Sequence, residues 1–242
     1  MIAANIRVQL TREDAHLVVA LLEQAGAGSA EEREAQLREG GLDALLDDPA
    51  VLRALMTVRL ATRASLPLFA YVVARHALLQ SGEADRELAD YTASVLLHFG
   101  LRDRAWRVSN SDDETYDTLA GLLGAVDGPD ARRNFLVRAH LGNYALWLAG
   151  LFPDYVEHRR WERGGPDLDY YDEMGTRGFR LAAEHRLASE HGMTTLFERA
   201  ASRFPVMRVA LNRVSDTLLF PAVSSPERLM RQVRDDVRWK VA

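Results

Sequence analysis

Apolar residues recur along this chain at intervals of three and four, and almost nowhere at two. Ala15, Val18, Val19 and Leu22 form one such stripe behind Thr11 and Asp14, a capping box, and Gly26 and Gly28 stop it. Ser29 with Glu32 opens a polar helix to Arg38, closed by Gly40 and Gly41. Asp48 before Pro49 is an N-cap with proline at the first helical position, and Val51, Leu52, Leu55, Val58 and Leu60 carry that helix to about Thr62. Ser65 caps a helix over about 66–81 that is apolar nearly all round, the pattern of a central element. A helix from about Ala84 to Phe99 runs back from Gly82.

After a polar connection at 101–111, the pattern predicts helices over 112–126, 130–151, 154–163, 168–191, 194–203, 205–219 and 226–240. The first of these starts at Ser111 with an acidic turn of Asp112, Asp113 and Glu114, which complements the helix dipole. Gly128–Pro129, Phe152–Pro153, Phe204–Pro205 and, most strongly, Gly164–Gly165–Pro166 separate them. Only Ile6–Leu10 alternates with period two. The expected fold is all-α: a single globular domain over 1–242 of about ten helices, with orthogonal or bundle-like packing around a central helical hairpin at 66–99 and at most a weak subdivision near 127–130.

Composition narrows the class. Hydrophobic residues at 48% and charged residues at 27% are values of a folded globular chain. The absence of cysteine excludes disulfides, thiolate zinc sites and a cysteine nucleophile. The start shows no basic segment leading into an apolar run, and the most apolar stretches, Leu66–Leu79 and Leu141–Phe152, are shorter than a membrane span. A soluble cytoplasmic protein, without membrane contact, is expected. All but one of the 30 basic residues are arginine, a texture of GC-rich bacterial genomes. The net charge of −5 is banded: residues 1–50 hold 4 basic and 10 acidic residues, 111–130 hold 6 acidic and no basic, and 193–242 hold 9 basic and 5 acidic. Such bands suit neutralisation within the fold or across a homodimer better than a nucleic-acid face, which gathers one sign.

Candidate chemistry concentrates between Asn134 and His191. His140, Asn143, Tyr144 and Trp147 share one helical stripe, and Tyr171, Gly175, Gly178, Ala182 and His185 form a second. The glycines imply the close approach of a helix or a ligand. Arg75 and His76 interrupt the apolar 66–81 helix, and a buried guanidinium needs a partner. The hairpin geometry pairs Arg75 with Asp90. A metal site is not expected: Glu13–His16 is the one Glu-x-x-His pair, and Asp154 with His158 shares its spacing with many unrelated pairs. No phosphate-loop, dinucleotide or nucleophile-elbow motif is present, and no cofactor is expected. His98 and His191 precede terminating glycines, where a cation favours the helix end without further function. The last helix carries Arg228, Arg231, Arg234, Arg238 and Lys240 with Leu229, Val233, Val237 and Trp239. Its apolar edge is expected to pack, with its charges facing the acidic N-terminal region or a second subunit.

Three readings remain open. The first is a non-catalytic helical protein acting through protein–protein contact, self-associating as a homodimer or meeting another protein. The second is a small-molecule binder or enzyme with a pocket between helices 130–151 and 168–191, lined by His140, Asn143, Tyr144, Tyr155, Arg159 and Tyr171. The third is a metal-dependent helical enzyme.

Overall fold

The computed structural model describes residues 2–100, 105–109 and 114–241, with side chains as far as 235. Among the described residues it has thirteen α-helices, three short 3-10 or π turns and no strand, the all-α class expected. Contacts group the chain into two compact units, Ile2–His98 and Phe99–Ala242. None of the helices described is long and apolar enough to cross a membrane.

The first unit holds α1 (Arg12–Gln24), α2 (Ala30–Leu46), α3 (Pro49–Thr57), α4 (Leu66–Gln80) and most of α5 (Arg86–Gly100). Both capping boxes form, Thr11 with Asp14 and Ser29 with Glu32, and Asp48 and Ser65 cap α3 and α4. Gly41 bends α2 instead of ending it: the backbone takes φ 70° there, open to glycine without strain, and the helix resumes. The resumed turn buries Leu45 and Leu46. Helix α3 is shorter than its apolar pattern, which continues as a 3-10 turn over Arg59–Arg63.

Asp90 organises the start of the chain. One carboxylate oxygen accepts from the backbone amides of Ile6 (2.7 Å) and Arg7 (3.1 Å). Residues Arg7–Gln9 accordingly turn as a short 3-10 helix, and the alternation at Ile6–Leu10 makes no strand. The expected Arg75–Asp90 pair is therefore replaced. Arg75 holds Asp47, at the C-cap of α2, through Nε (2.7 Å) and Nη2 (3.1 Å), and Nη1 donates to the Ala84 carbonyl. Arg86 reaches the same carboxylate at 2.6 Å. Burial pushes the Asp47 carboxyl up, but hydrogen bonds from the two arginines hold it below the usual range. At Asp90 burial prevails over the two amides and raises the carboxyl.

The environment of Asp90 separates the effects of two substitutions. Asp90→Ala strands two amides and lowers stability by about 1–3 kcal/mol in urea denaturation. Asp90→Asn keeps the acceptor and removes the charge. A carboxyl raised by folding binds protons more tightly when folded, so its stability contribution is lost as pH rises past the unfolded value. Asp90→Asn is free of that loss, so its stability relative to the wild type climbs between about pH 4 and pH 7. A relative stability that falls over that interval contradicts the assignment.

The second unit holds α6 (Leu119–Gly124), α7 (Ala131–Leu151), α8 (Pro153–Arg163), α9 (Leu168–Ala183), α10 (Arg186–Glu190), α11 (Thr194–Ser202), α12 (Phe204–Val214) and α13 (Pro226–Val241). Helix α7 is its axis, buried along most of its length. Its most extensive described contact is with α9. There Gly142 lies beneath the Phe179 ring, and a Cβ on Gly178 would stand 2.5 Å from the Gly142 nitrogen. On another side, Gly150 admits Leu211 of α12. The Asn212 amide donates to the carbonyls of Ala149 (2.7 Å) and Gly150 (2.8 Å), and Ser215 donates to Leu151 (2.7 Å). Carbonyls that the end of α7 leaves without helical partners are thereby satisfied.

Three expected helices differ. The one predicted over 112–126 is confined to Leu119–Gly124, capped by Thr118. Glu114 lies before it in irregular chain, bonded by Tyr116 and Arg133, and Ser111, Asp112 and Asp113 fall outside the described residues. The one over 168–191 breaks at Glu184–His185. The His185 imidazole accepts from the Leu187 amide at 3.2 Å and caps α10, so it leaves the stripe that runs from Tyr171 to Ala182. The one over 205–219 changes to a π turn at Ser215–Leu219.

Candidate functional site

The stripe His140–Tyr144–Trp147 forms a ladder of rings along α7. His140 stacks on Tyr144 at 6.2 Å between centroids, Tyr144 on Trp147 at 6.2 Å, and Trp147 meets Phe152 edge-on at 5.0 Å. Phe99 covers the other edge of His140 and Trp147. His140 is buried, with a ring nitrogen 2.9 Å from the Ala105 carbonyl, and Asn143 is buried beside it. Both serve the core.

The lower rungs open onto a cavity of about 360 Å³. Tyr144, Trp147 and Leu148 of α7 form one wall with Phe152 at the cap between the helices, and Tyr155 and Arg159 form the α8 wall. Trp106, Asp117 and Thr118 close the third side. The backbone amide of Tyr116 donates to the Trp106 carbonyl at 2.8 Å and ties the two stretches of that side together. The Tyr144 hydroxyl donates to the Asp117 carbonyl at 3.2 Å. Burial, reinforced by the Tyr171 and Tyr155 phenols, pushes Tyr144 up to about 12, so near neutral pH it acts as a donor. Arg159 lies over the Tyr155 ring at 5.7 Å, with Nη1 3.4 Å from its hydroxyl. Its Nε is buried without a hydrogen-bond partner among the described residues.

Of the six expected lining residues, the structure thus brings Tyr144, Tyr155 and Arg159 to one cavity. His140, Asn143 and Tyr171 do not line it. The gap between α7 and α9, where the pocket was expected, is filled by the Gly142–Gly178 contact and the Phe179 ring. Trp106, Asp117 and Thr118 carry no periodic signal. The one hint is a tryptophan in an otherwise polar connection. Among the described residues no three His, Asp or Glu side chains converge as metal ligands, and Glu13 and His16 are both exposed on α1.

A second feature is helix α13, which is turned inside out. Arg228 donates from Nε to Asp154 (2.9 Å) and from Nη1 to the carbonyls of Phe220 (2.8 Å) and Val223 (2.9 Å), and its Nη2 also reaches Asp154. Arg231 donates to Asp216 (2.7 Å) and Asp154 (3.3 Å), Gln232 to Asp216 (2.9 Å) and Arg234 to Glu157 (3.0 Å). Asp235 accepts from Arg208 of α12. Asp154 stands in the first turn of α8, where a carboxylate is favoured, and the π turn carries Asp216. The buried residues of α13 whose side chains are described are Arg228, Arg231 and Asp235, all charged. Leu229 is 63% exposed, Met230 64% and Val233 56%.

This reverses the expected orientation: the arginines pack inward on carboxylates of α8 and the π turn, Asp235 meets Arg208 of α12, and the apolar positions Leu229 and Val233 face out. The side chains of Val237, Arg238, Trp239 and Lys240 lie outside the described residues. A buried guanidinium left unpaired costs about 3–5 kcal/mol, whereas burying a leucine-sized side chain gains about 1.5–3 kcal/mol. Several pairings formed together set the orientation of the helix against its apolar face.

Comparison of the chain with protein-family models, curated proteins and solved structures finds no match. The functional reading rests on this geometry alone.

Proposed function

We propose that the protein acts through protein–protein contact and associates with a second copy of itself through the outward face of α13. The supporting observation is the inversion of that helix, which leaves Leu229, Met230 and Val233 in water while Arg228 and Arg231 are consumed inside. Large apolar side chains gathered on one exposed face mark an interaction surface. An acidic partner is disfavoured, because Arg228 and Arg231 already hold Asp154 and Asp216.

Charge placement favours the second copy. Glu227 and Arg234 lie two turns apart on the same flank of the apolar face, symmetrically about the Met230–Arg231 midpoint. In an antiparallel, two-fold pair each Glu227 faces the other copy's Arg234, whose side chain stays 30% exposed beside its bond to Glu157, so the surface complements itself. Light scattering after size exclusion, at tens of micromolar, gives a dimer for the wild type. The triple variant Leu229→Gln, Met230→Gln, Val233→Gln gives a monomer with unchanged helix content. A monomeric wild type, or a triple variant that stays dimeric, refutes the reading.

A further inference from the structure

The aromatic cavity between α7 and α8 carries an inference independent of association through α13. We infer that it binds a small planar aromatic ligand bearing a carboxylate, with the ring against Trp147 and Phe152 and the anion on Arg159.

The volume sets the size. A cavity of about 360 Å³ lies near the lower end of small-molecule sites, about 300–1,000 Å³. It suits one or two fused rings with a short acidic arm. The walls set the body of the ligand. Trp147 and Phe152 meet edge-on at 5.0 Å and Tyr144 stacks against Trp147, so they offer ring faces and edges to which another planar ring adds in the same geometry.

The charge of the ligand is decided between two lining groups, Asp117 and Arg159. Asp117 is exposed, and water screens its carboxylate. Arg159 is half-buried among rings, where a charge acts through a lower effective dielectric. The field of the guanidinium therefore prevails. Its fork is also incompletely used: Nε is enclosed away from solvent, Nη1 has only the long 3.4 Å bond to Tyr155, and the Nη1–Nη2 end is the part left to a ligand. Two adjacent N–H groups of a guanidinium match the two oxygens of a carboxylate, and such charged pairs are the stronger class of hydrogen bond. The phenol of Tyr155, already held under the guanidinium, fixes its direction. A cationic aromatic would meet Arg159 at close range with only the screened Asp117 to offset it.

The test titrates the full chain with naphthalene-2-carboxylate, 2-naphthylmethylammonium and 2-naphthylmethanol, three probes of one shape and different charge. Affinity is read by calorimetry and location by the indole N–H resonances of the four tryptophans. The carboxylate binds at least about tenfold more tightly than the ammonium, and it moves the Trp106 and Trp147 signals while leaving Trp161 in place. Arg159→Gln abolishes the preference for the carboxylate and leaves the neutral alcohol's affinity within about twofold. Equal affinities, a preference for the ammonium, no saturable shift at Trp106 and Trp147, or a preference that survives Arg159→Gln each overturns the inference. Should Arg159→Gln fail to fold, the three-probe comparison on the wild type decides alone. Because the α13 triple variant leaves the cavity intact, its binding follows the wild type whether or not the chain dimerises.

Discussion

Arg208→Met lowers the unfolding free energy by about 3–5 kcal/mol. Among the described residues Arg208 is the largest fully buried side chain, 1% exposed, and it is held by Asp172 at 2.7 Å, Asn212 at 2.8 Å and Asp235 at 3.4 Å. Its removal leaves two carboxylates in the interior with no cation between them. Burial already raises the Asp172 carboxyl, with Arg208 opposing it. Without the arginine the folded carboxyl rises further above its unfolded value, and the folded state takes up a proton the unfolded state does not hold. Stability is retained at low pH, where Asp172 is protonated, and is lost as pH rises through that interval. The deficit of Arg208→Met, measured by urea denaturation, is therefore larger at pH 8 than at pH 5. Replacing the three charges together by apolar residues of similar volume (Arg208→Met, Asp172→Leu, Asp235→Leu) restores most of the loss, because no unpaired ion remains. A single variant within about 1 kcal/mol of the wild type contradicts this role.

The second large effect is at Gly178. A Cβ there would lie 2.5 Å from the Gly142 nitrogen and 3.1 Å from the Arg138 carbonyl oxygen, both backbone atoms that no rotamer change can move. Gly178→Ala must spread α7 from α9 along their main contact. It costs about 1–3 kcal/mol, after offsetting the roughly 1 kcal/mol that alanine gains over glycine in a helix. The control is Gly124→Ala in α6, where a Cβ meets nothing within 4 Å. It leaves the thermal midpoint unchanged or raises it. Equal midpoints for the two variants would show that the glycine contact does not set the helix spacing.

Much of this fold is legible in the sequence because its signals are local. Thr11, Ser29, Asp48 and Ser65 each cap the helix that follows them. The small residues of α7 and α9 announce a close contact, which Gly142 and Gly178 make. Illegible are the choices among partners distant in sequence. Arg75 plainly needs a carboxylate. That it takes Asp47, 28 residues away, follows from Asp90 being committed to the amides of Ile6 and Arg7. His185 fits the helical stripe of α9, yet its ring nitrogen caps the next helix instead.

The candidate sites follow the same division. Tyr144, Tyr155 and Arg159 could be picked out from spacing on their own helices, whereas the third wall of the cavity comes from irregular chain around Trp106 and Asp117. The amphipathic character of α13 is evident from its spacing, but not which side faces in. That depends on Asp154, Asp216 and Glu157 gathering beneath it from two other elements. An arginine face is conventionally drawn toward solvent, and here the carboxylates turn it inward.

The central claim, that the outward face of α13 meets its own copy, is tested most directly by a thiol at its midpoint. The chain has no cysteine, so one introduced thiol is unique. In the proposed antiparallel pair the two Met230 positions flank the two-fold axis, where two introduced thiols can approach to the short Cβ separation that a disulfide needs. Under mild oxidation at tens of micromolar, Met230→Cys forms a covalent dimer rapidly, and adding Leu229→Gln and Val233→Gln suppresses it. Val8→Cys, a comparably exposed position in the other unit, cross-links only slowly. A Met230→Cys chain that cross-links no faster than Val8→Cys contradicts the account.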